Sequence, residues 1–204
     1  MSNLEKTRRL FSNSVTPPIV RLLAKTPLTP NTLTWFGFLV SLGAVALIVT
    51  DHFLAAGIVV LAAGFFDLLD GALARLTGKT SRFGAILDSS LDRLSEGALL
   101  LALLVMFAQE EHVIGVLVVG LTMLGSIMVS YIRARMEGMG IECKAGFFTR
   151  PERVIILALG LLLNQFDNAL LSALGIIAFF SWVTVVERLI YAWRQTGEKS
   201  SKSP

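Results

Sequence analysis

The chain is short of the residues that build many protein sites. It has one cysteine, Cys143, which rules out an intrachain disulfide and a cysteine-based metal centre. Its two histidines, His52 and His112, fall in short breaks between apolar runs, where a solvated imidazole is expected rather than a ligand. Charged residues make up only 16% of the sequence, against about a quarter in ordinary soluble domains. The first residues, MSNLEKTRRLFSNS, lack the apolar centre and small-residue cleavage site of a secretory signal. The N-terminus is therefore expected to be mature and uncleaved. No nucleic-acid-binding module is present, so no nucleic-acid partner is expected.

Apolar residues are what the chain has in abundance. They form 54% of it, with a mean hydropathy of +0.70, and they are gathered into runs long enough to cross a bilayer. The runs predict an all-α integral membrane protein, with six transmembrane helices preceded by an interfacial amphipathic helix. The expected spans are Asn31–Val49, Phe53–Leu76, Phe83–Ala108, Val113–Tyr131, Val154–Leu163 and Ala169–Ile190. The whole chain, 1–204, reads as one membrane domain: an interfacial helix at 1–25, a six-helix core at 31–193 and a polar tail at 194–204.

In the first segment Leu4, Leu10, Phe11, Val15, Ile19, Val20, Leu22 and Leu23 interleave with Lys6, Arg8, Arg9, Arg21 and Lys25, as in a helix lying at a membrane surface. Pro17 and Pro18 break that helix or start a second one. Asn31 or Thr32 is placed to cap the first span. Lysine and arginine are absent from the breaks at 50–52, 109–112 and 164–168 and crowd the opposite side. By the positive-inside rule, both termini face the cytoplasm in a multi-pass protein of the plasma membrane.

Four aspartates break this apolar pattern. Asp67 and Asp70 are three residues apart near the end of the second span, and Asp88 and Asp92 are four apart near the start of the third. Both offsets put a pair on one helix face, where like charges repel. A carboxylate at the centre of a membrane helix costs about 2.5–3.5 kcal/mol, so four of them need a cationic partner. An all-oxygen set suits a hard ion, Mg²⁺ first and Mn²⁺ or Ca²⁺ next, as one ion or a pair. The alternative is a set of ion pairs with Arg75, Arg82 and Arg93. Only TGKTS joins the two acidic helices, so they are expected to pack as antiparallel neighbours. Gly71, Ala74 and Gly84 strip bulk from the same stretch, allowing close approach of a helix or of a flat ligand. Arg75 lies one turn beyond Gly71, able to face a phosphate or to bridge Asp70 or Asp92.

The stretch Asp67-Leu-Leu-Asp70-Gly71-Ala-Leu-Ala74-Arg75, then eight residues, then Gly84-Ala-Ile-Leu-Asp88-Ser-Ser-Leu-Asp92 resembles the signature of the CDP-alcohol phosphatidyltransferases at every specified position. The resemblance implies transfer of a phosphatidyl group from CDP-diacylglycerol to an alcohol, with release of CMP. It implies that Asp67, Asp70 and Asp88 bind one divalent ion and that Asp67, Asp88 and Asp92 bind a second, with Mg²⁺ expected and Mn²⁺ a substitute. Gly71, Ala74 and Gly84 would make room for the cytidine, Arg75 would hold phosphate, and Asp92 is the family's usual candidate for general base. A homodimer among membrane lipids is implied as well.

The strings SYIRARMEGMG and TRPER resemble the phosphatidylinositol-phosphate synthase branch, whose acceptor is inositol 1-phosphate. There Arg133, Arg153 and Arg188 match the residues that bind the acceptor's phosphate. The branch commonly has lysine at the Arg133 position and glutamate at the Thr149 position. Arg135, Lys144 and Arg150 add to the same basic cluster, which also suits anchoring to anionic lipid. Glycerol 3-phosphate is the alternative acceptor, and an archaeal ether-lipid counterpart would use the same chemistry. A divalent-cation transporter is the reading from another class. Acids gathered near one end of the spans, with no internal repeat, speak against it.

Overall fold

The structure, a computed structural model, describes residues 16–200. Residues 1–15, with most of the expected interfacial helix, and 201–204 of the tail lie outside the described residues. Seven helices follow one another: α1 (Thr16–Leu23), α2 (Pro30–Val49), α3 (Phe53–Thr77), α4 (Arg82–Gln109), α5 (Val113–Gly138), α6 (Arg150–Leu162) and α7 (Ala169–Ser200).

Local chemistry accounts for the ends of these helices. Pro17 and Pro18 occupy the first turn of α1, where a missing N–H costs nothing, so they start a helix. That helix buries Val20 against Leu33, Leu69 and Leu73 and leaves Leu22 exposed. The cap of α2 is Thr29, one residue before Pro30, and its side chain accepts a hydrogen bond from the Thr32 N–H. Asn31 and Thr32 thus lie inside the first turn rather than at the cap. α3 stops at Gly78, whose φ of 66° is left-handed and suits glycine. α4 starts at Ser81, which accepts from the Gly84 N–H at 2.9 Å. α6 begins earlier than the apolar run suggested. Glu152 reaches back to accept from the Thr149 N–H at 2.8 Å, and Pro151 fits the first turn. The segment expected to be a polar tail after residue 193 instead continues α7 to Ser200.

The helices close into a ring. α2 packs on α3 and α4, α3 on α6, α6 on α7, α7 on α5, and α5 on α4, while α1 lies against α3. This corrects the expectation that the acid-bearing α3 and α4 pack as neighbours. A short loop joins them, yet they do not pack along their lengths, because α2 is the close partner of both. Their facing sides are left free to line a cleft.

The packing is that of a membrane bundle. Outward residues are apolar, among them Trp35, Phe36, Leu39, Leu121, Phe179 and Val186, whereas Ser41, Ser95, Thr122, Ser126, Ser181 and Thr184 are buried. With lipid outside, polar groups turn inward. Four helices (α2, α3, α5 and α7) are long and apolar enough to cross a membrane. α4 is long but carries the acids, and the 13 residues of α6 reach about 20 Å at 1.5 Å each, short of a hydrocarbon core of about 30 Å.

Glycine allows the closest contacts in the ring. A Cβ at Gly160 would lie 2.6 Å from the Ala173 Cβ, where α6 meets α7. Gly160→Ala is expected to cost about 1–3 kcal/mol through overpacking. At Gly97 a Cβ would meet nothing within 4 Å, so Gly97→Ala is expected to be neutral or to stabilise α4 by up to about 1 kcal/mol. Thermal unfolding in detergent compares the two, and equal midpoints would refute the close-packed contact.

Candidate active site

Asp67 and Asp70 sit one turn apart on α3, and Asp88 and Asp92 one turn apart on α4. Across the gap between these helices, one carboxylate oxygen from each of Asp67, Asp70 and Asp88 lies within 4.8 Å of the others. Three like charges so close repel strongly. Asp70 Oδ2 and Asp88 Oδ1 are also buried without a hydrogen-bond partner. Orphaned acceptors in a cluster of hard oxygen donors are what a divalent cation satisfies, so these residues fit the expected ion. The family pattern fits the geometry for this first ion.

Asp92 stands apart from that triad. Its Oδ1 lies 2.6 Å from Arg150 Nη1, and the same nitrogen lies 2.9 Å from Asp67 Oδ2. The alternative set of ion pairs is thus answered by a different arginine. Among the described residues Arg75, Arg82 and Arg93 make no ion pair with the aspartates, and Arg93 donates instead to the Ser89 carbonyl. One guanidinium cannot balance four carboxylates, so Arg150 does not remove the need for a cation.

Gly71 and Ala74 are half-buried on α3, with exposed Arg75 folded over Gly71, where its Nη1 would lie 3.4 Å from an added Cβ. An added Cβ at Gly84 would crowd Ser81 Oγ at 2.9 Å and Asn31 Oδ1 at 3.0 Å. A cleft runs from the aspartates inward, lined by Thr34, Gly37, Ser41, Asp67, Asp92 and Arg150.

The three acceptor arginines are not alike. Arg133 is exposed and pairs with Glu137 on its own helix at 2.8 Å. Arg188 is buried and donates to the Ala145 carbonyl at 3.2 Å and to the Val129 carbonyl. Arg153, only 2% exposed, holds Glu96 with both prongs of its fork, Nε at 2.6 Å and Nη2 at 2.9 Å, and its Nη1 is buried without a partner. Arg133 and Arg153 both lie near enough to Arg188 for their charges to act on it.

Two residues escaped the sequence reading of the acidic site. Glu96 continues the stripe Asp88, Asp92, Glu96 at four-residue steps on α4, and extending that spacing would have found it. Arg150 was grouped with the acceptor cluster, and nothing local in TRPER shows that it reaches the aspartates.

The site thus belongs to an all-helical bundle with membrane-spanning candidates and a carboxylate cage at a cleft. Residues 27–190 match the CDP-alcohol phosphatidyltransferase family, and the chain belongs to it. It is 36% identical over 205 residues to the phosphatidylinositol phosphate synthase of Mycobacterium tuberculosis, covering 97% of this chain and 94% of that one. It is 39% identical over 175 residues to the archaetidylinositol phosphate synthase of Pyrococcus horikoshii, covering 85% and 88%. The crystal structure of the M. tuberculosis enzyme with CDP-DAG bound superposes with a TM-score of 0.79, covering 88% of this chain and 94% of that one at 36% identity. The same enzyme in complex with manganese and citrate gives 0.80, covering 88% and 89% at 36% identity.

Proposed function

We propose that this enzyme transfers a phosphatidyl group from CDP-diacylglycerol to inositol 1-phosphate, releasing CMP. One observation carries the reading: the Asp67–Asp70–Asp88 cage opens on a cleft in a chain that is 36% identical, over nearly its whole length, to a phosphatidylinositol phosphate synthase. The acceptor hydroxyl oxygen bonds to the lipid-side phosphorus as the bond from that phosphorus to CMP breaks, and CMP leaves with the electron pair.

Asp67, Asp70 and Asp88 hold a divalent ion, Mg²⁺ or Mn²⁺, and Asp67, Asp88 and Asp92 a second. Such ions act as Lewis acids on phosphoryl oxygens. Gly71, Ala74 and Gly84 leave the helix surfaces low enough for the cytidine, and Arg75 binds phosphate. Asp92 is the candidate to take the acceptor's proton. A carboxylate that also binds metal is a weak base, so orientation of the acceptor matters as much as its basicity. Arg133, Arg153 and Arg188 bind the acceptor's phosphate.

The enzyme works as a six-span bundle over residues 31–193, a single membrane domain in a homodimer. Its acids and both termini face the cytoplasmic side of the plasma membrane. The one-sided lysines and arginines support that orientation. Short α6 then needs local thinning of the bilayer or its basic end at the surface. The Pyrococcus relative favours a second reading for the donor, an archaeal ether-lipid counterpart of CDP-diacylglycerol.

Purified protein with Mg²⁺ and CDP-diacylglycerol tests the acceptor. CMP release is expected with inositol 1-phosphate and only weakly with glycerol 3-phosphate. The reverse order would overturn the acceptor assignment, and no CMP with any acceptor, beside metal flux into liposomes, would point to the transporter. Arg133→Ala removes only an exposed ion pair, so stability should hold within about 1 kcal/mol. The KM for inositol 1-phosphate is expected to rise about tenfold through loss of a charge-assisted phosphate contact, with the KM for the CDP-lipid unchanged. Equal changes in both would refute a specific role in acceptor binding.

A further inference from the structure

The acidic site is divided between two kinds of cation. On one side, Asp70 Oδ2 and Asp88 Oδ1 are buried and unpartnered. On the other, Arg150 Nη1 sits between Asp67 Oδ2 at 2.9 Å and Asp92 Oδ1 at 2.6 Å. Asp67 belongs to both sides. Arg150 is held in place rather than loosely tethered. It is the first residue of α6, fixed by Pro151 behind it and by the Glu152 bond to the Thr149 N–H ahead of it. Its side chain is only 22% exposed, so solvent weakens its attraction to the carboxylates less than at an open surface. Its Nε is buried without an acceptor, so the guanidinium is aimed at the carboxylates but not fully satisfied there.

We infer that Arg150 is a resident counter-ion, competing with a divalent ion for Asp67 and Asp92. The inference rests on the proposed metal-dependent reading of the site. It gives the two metal positions an order. An ion on Asp67, Asp70 and Asp88 draws on Asp70 Oδ2 and Asp88 Oδ1, which have no other partner, and leaves Asp92 to the arginine. An ion that bridges Asp67 and Asp92 has to displace the guanidinium, so this second position is the weaker one. Once displaced, Arg150 carries an unpaired charge and an unsatisfied Nε beside the cleft, suited to an anionic phosphate oxygen. The arginine therefore weakens binding of the second ion until a substrate's negative charge can take it up.

Binding of Mn²⁺ to the full-length protein, followed by electron paramagnetic resonance without any substrate, tests this directly. In Arg150→Gln the second Mn²⁺ is expected to bind about tenfold more tightly than in the wild type, the effect of removing one competing charge from a partly screened pair. The first ion should change less. Without a divalent ion the same variant should melt at a lower temperature, because Asp67 and Asp92 have lost their counter-ion, and Mn²⁺ should restore it. Arg150→Lys, which keeps the charge on a compact, strongly hydrated ammonium instead of a guanidinium, is expected to fall between the two, and serves if Arg150→Gln does not fold. Unchanged affinity for the second ion in these variants would overturn the counter-ion role while leaving the metal site intact. No Mn²⁺ binding by the wild-type protein would overturn both.

Discussion

Asp88→Asn is expected to lower kcat by about a thousandfold, equivalent to about 4 kcal/mol of transition-state stabilisation. The change is nearly isosteric and removes one charge. Asp88 Oδ1 has no protein partner, so no internal hydrogen bond is lost there. Within 4.8 Å it faces oxygens of Asp67 and Asp70, and neutralising it relieves repulsion in the absence of metal. The variant should thus melt at or slightly above the wild-type temperature in chelator, while CMP release collapses. That separation is diagnostic. A structural aspartate would lose stability together with activity, and near-normal turnover would refute its assignment as a ligand. Asp70→Asn should behave in the same way.

The second large effect lies deeper in the bundle. Glu96→Ala is expected to destabilise the protein by about 3–5 kcal/mol, because it strands the charge of Arg153, which is 2% exposed. Both Nε and Nη2 of that guanidinium are committed to Glu96. No other acid is paired with Arg153 among the described residues. Glu96→Gln keeps the shape and one acceptor oxygen and should cost less. The double change Glu96→Leu with Arg153→Met should be milder than Glu96→Ala alone, since removing both charges also removes both desolvation penalties. Thermal or denaturant unfolding of Glu96→Leu, Arg153→Met and their combination forms the cycle. Additive losses would show that the two side chains act independently and sink the paired reading. Activity is expected to fall in every Arg153 variant if that guanidinium has its proposed role in binding the acceptor phosphate.

Much of this enzyme could be read locally. Helix positions followed from apolar runs and their breaks. The ends that moved did so by local rules that outrank hydropathy: the Glu152 bond that starts α6 at Arg150, and the continuation of α7 past Ile190, where polar residues still favour a helix. The aspartate cage was legible because its spacing is helical and its charges are costly. Glu96 could have been found by extending the same spacing one more turn.

Partnership was not legible. Arg150 meets Asp67 across 83 residues of sequence, and Arg153 meets Glu96 across 57. No periodicity records which of several arginines enters the interior. The short TGKTS loop pointed to α3 and α4 as packed neighbours, but a loop fixes only where helix ends meet, not which faces bury each other.

By itself the sequence determined a bundle of membrane helices, the one-sided distribution of its lysines and arginines, and the carboxylates that must be neutralised. These depend on composition and on spacing within one helix. Only the tertiary structure decided that α2 fills the place beside both acidic helices, that the cleft therefore stays open, and that Arg150 and Arg153 reach inward from α6 to different acids. Burial and ion pairing are properties of the closed ring, and they arise only when helices far apart in sequence exclude lipid and water from the same interior.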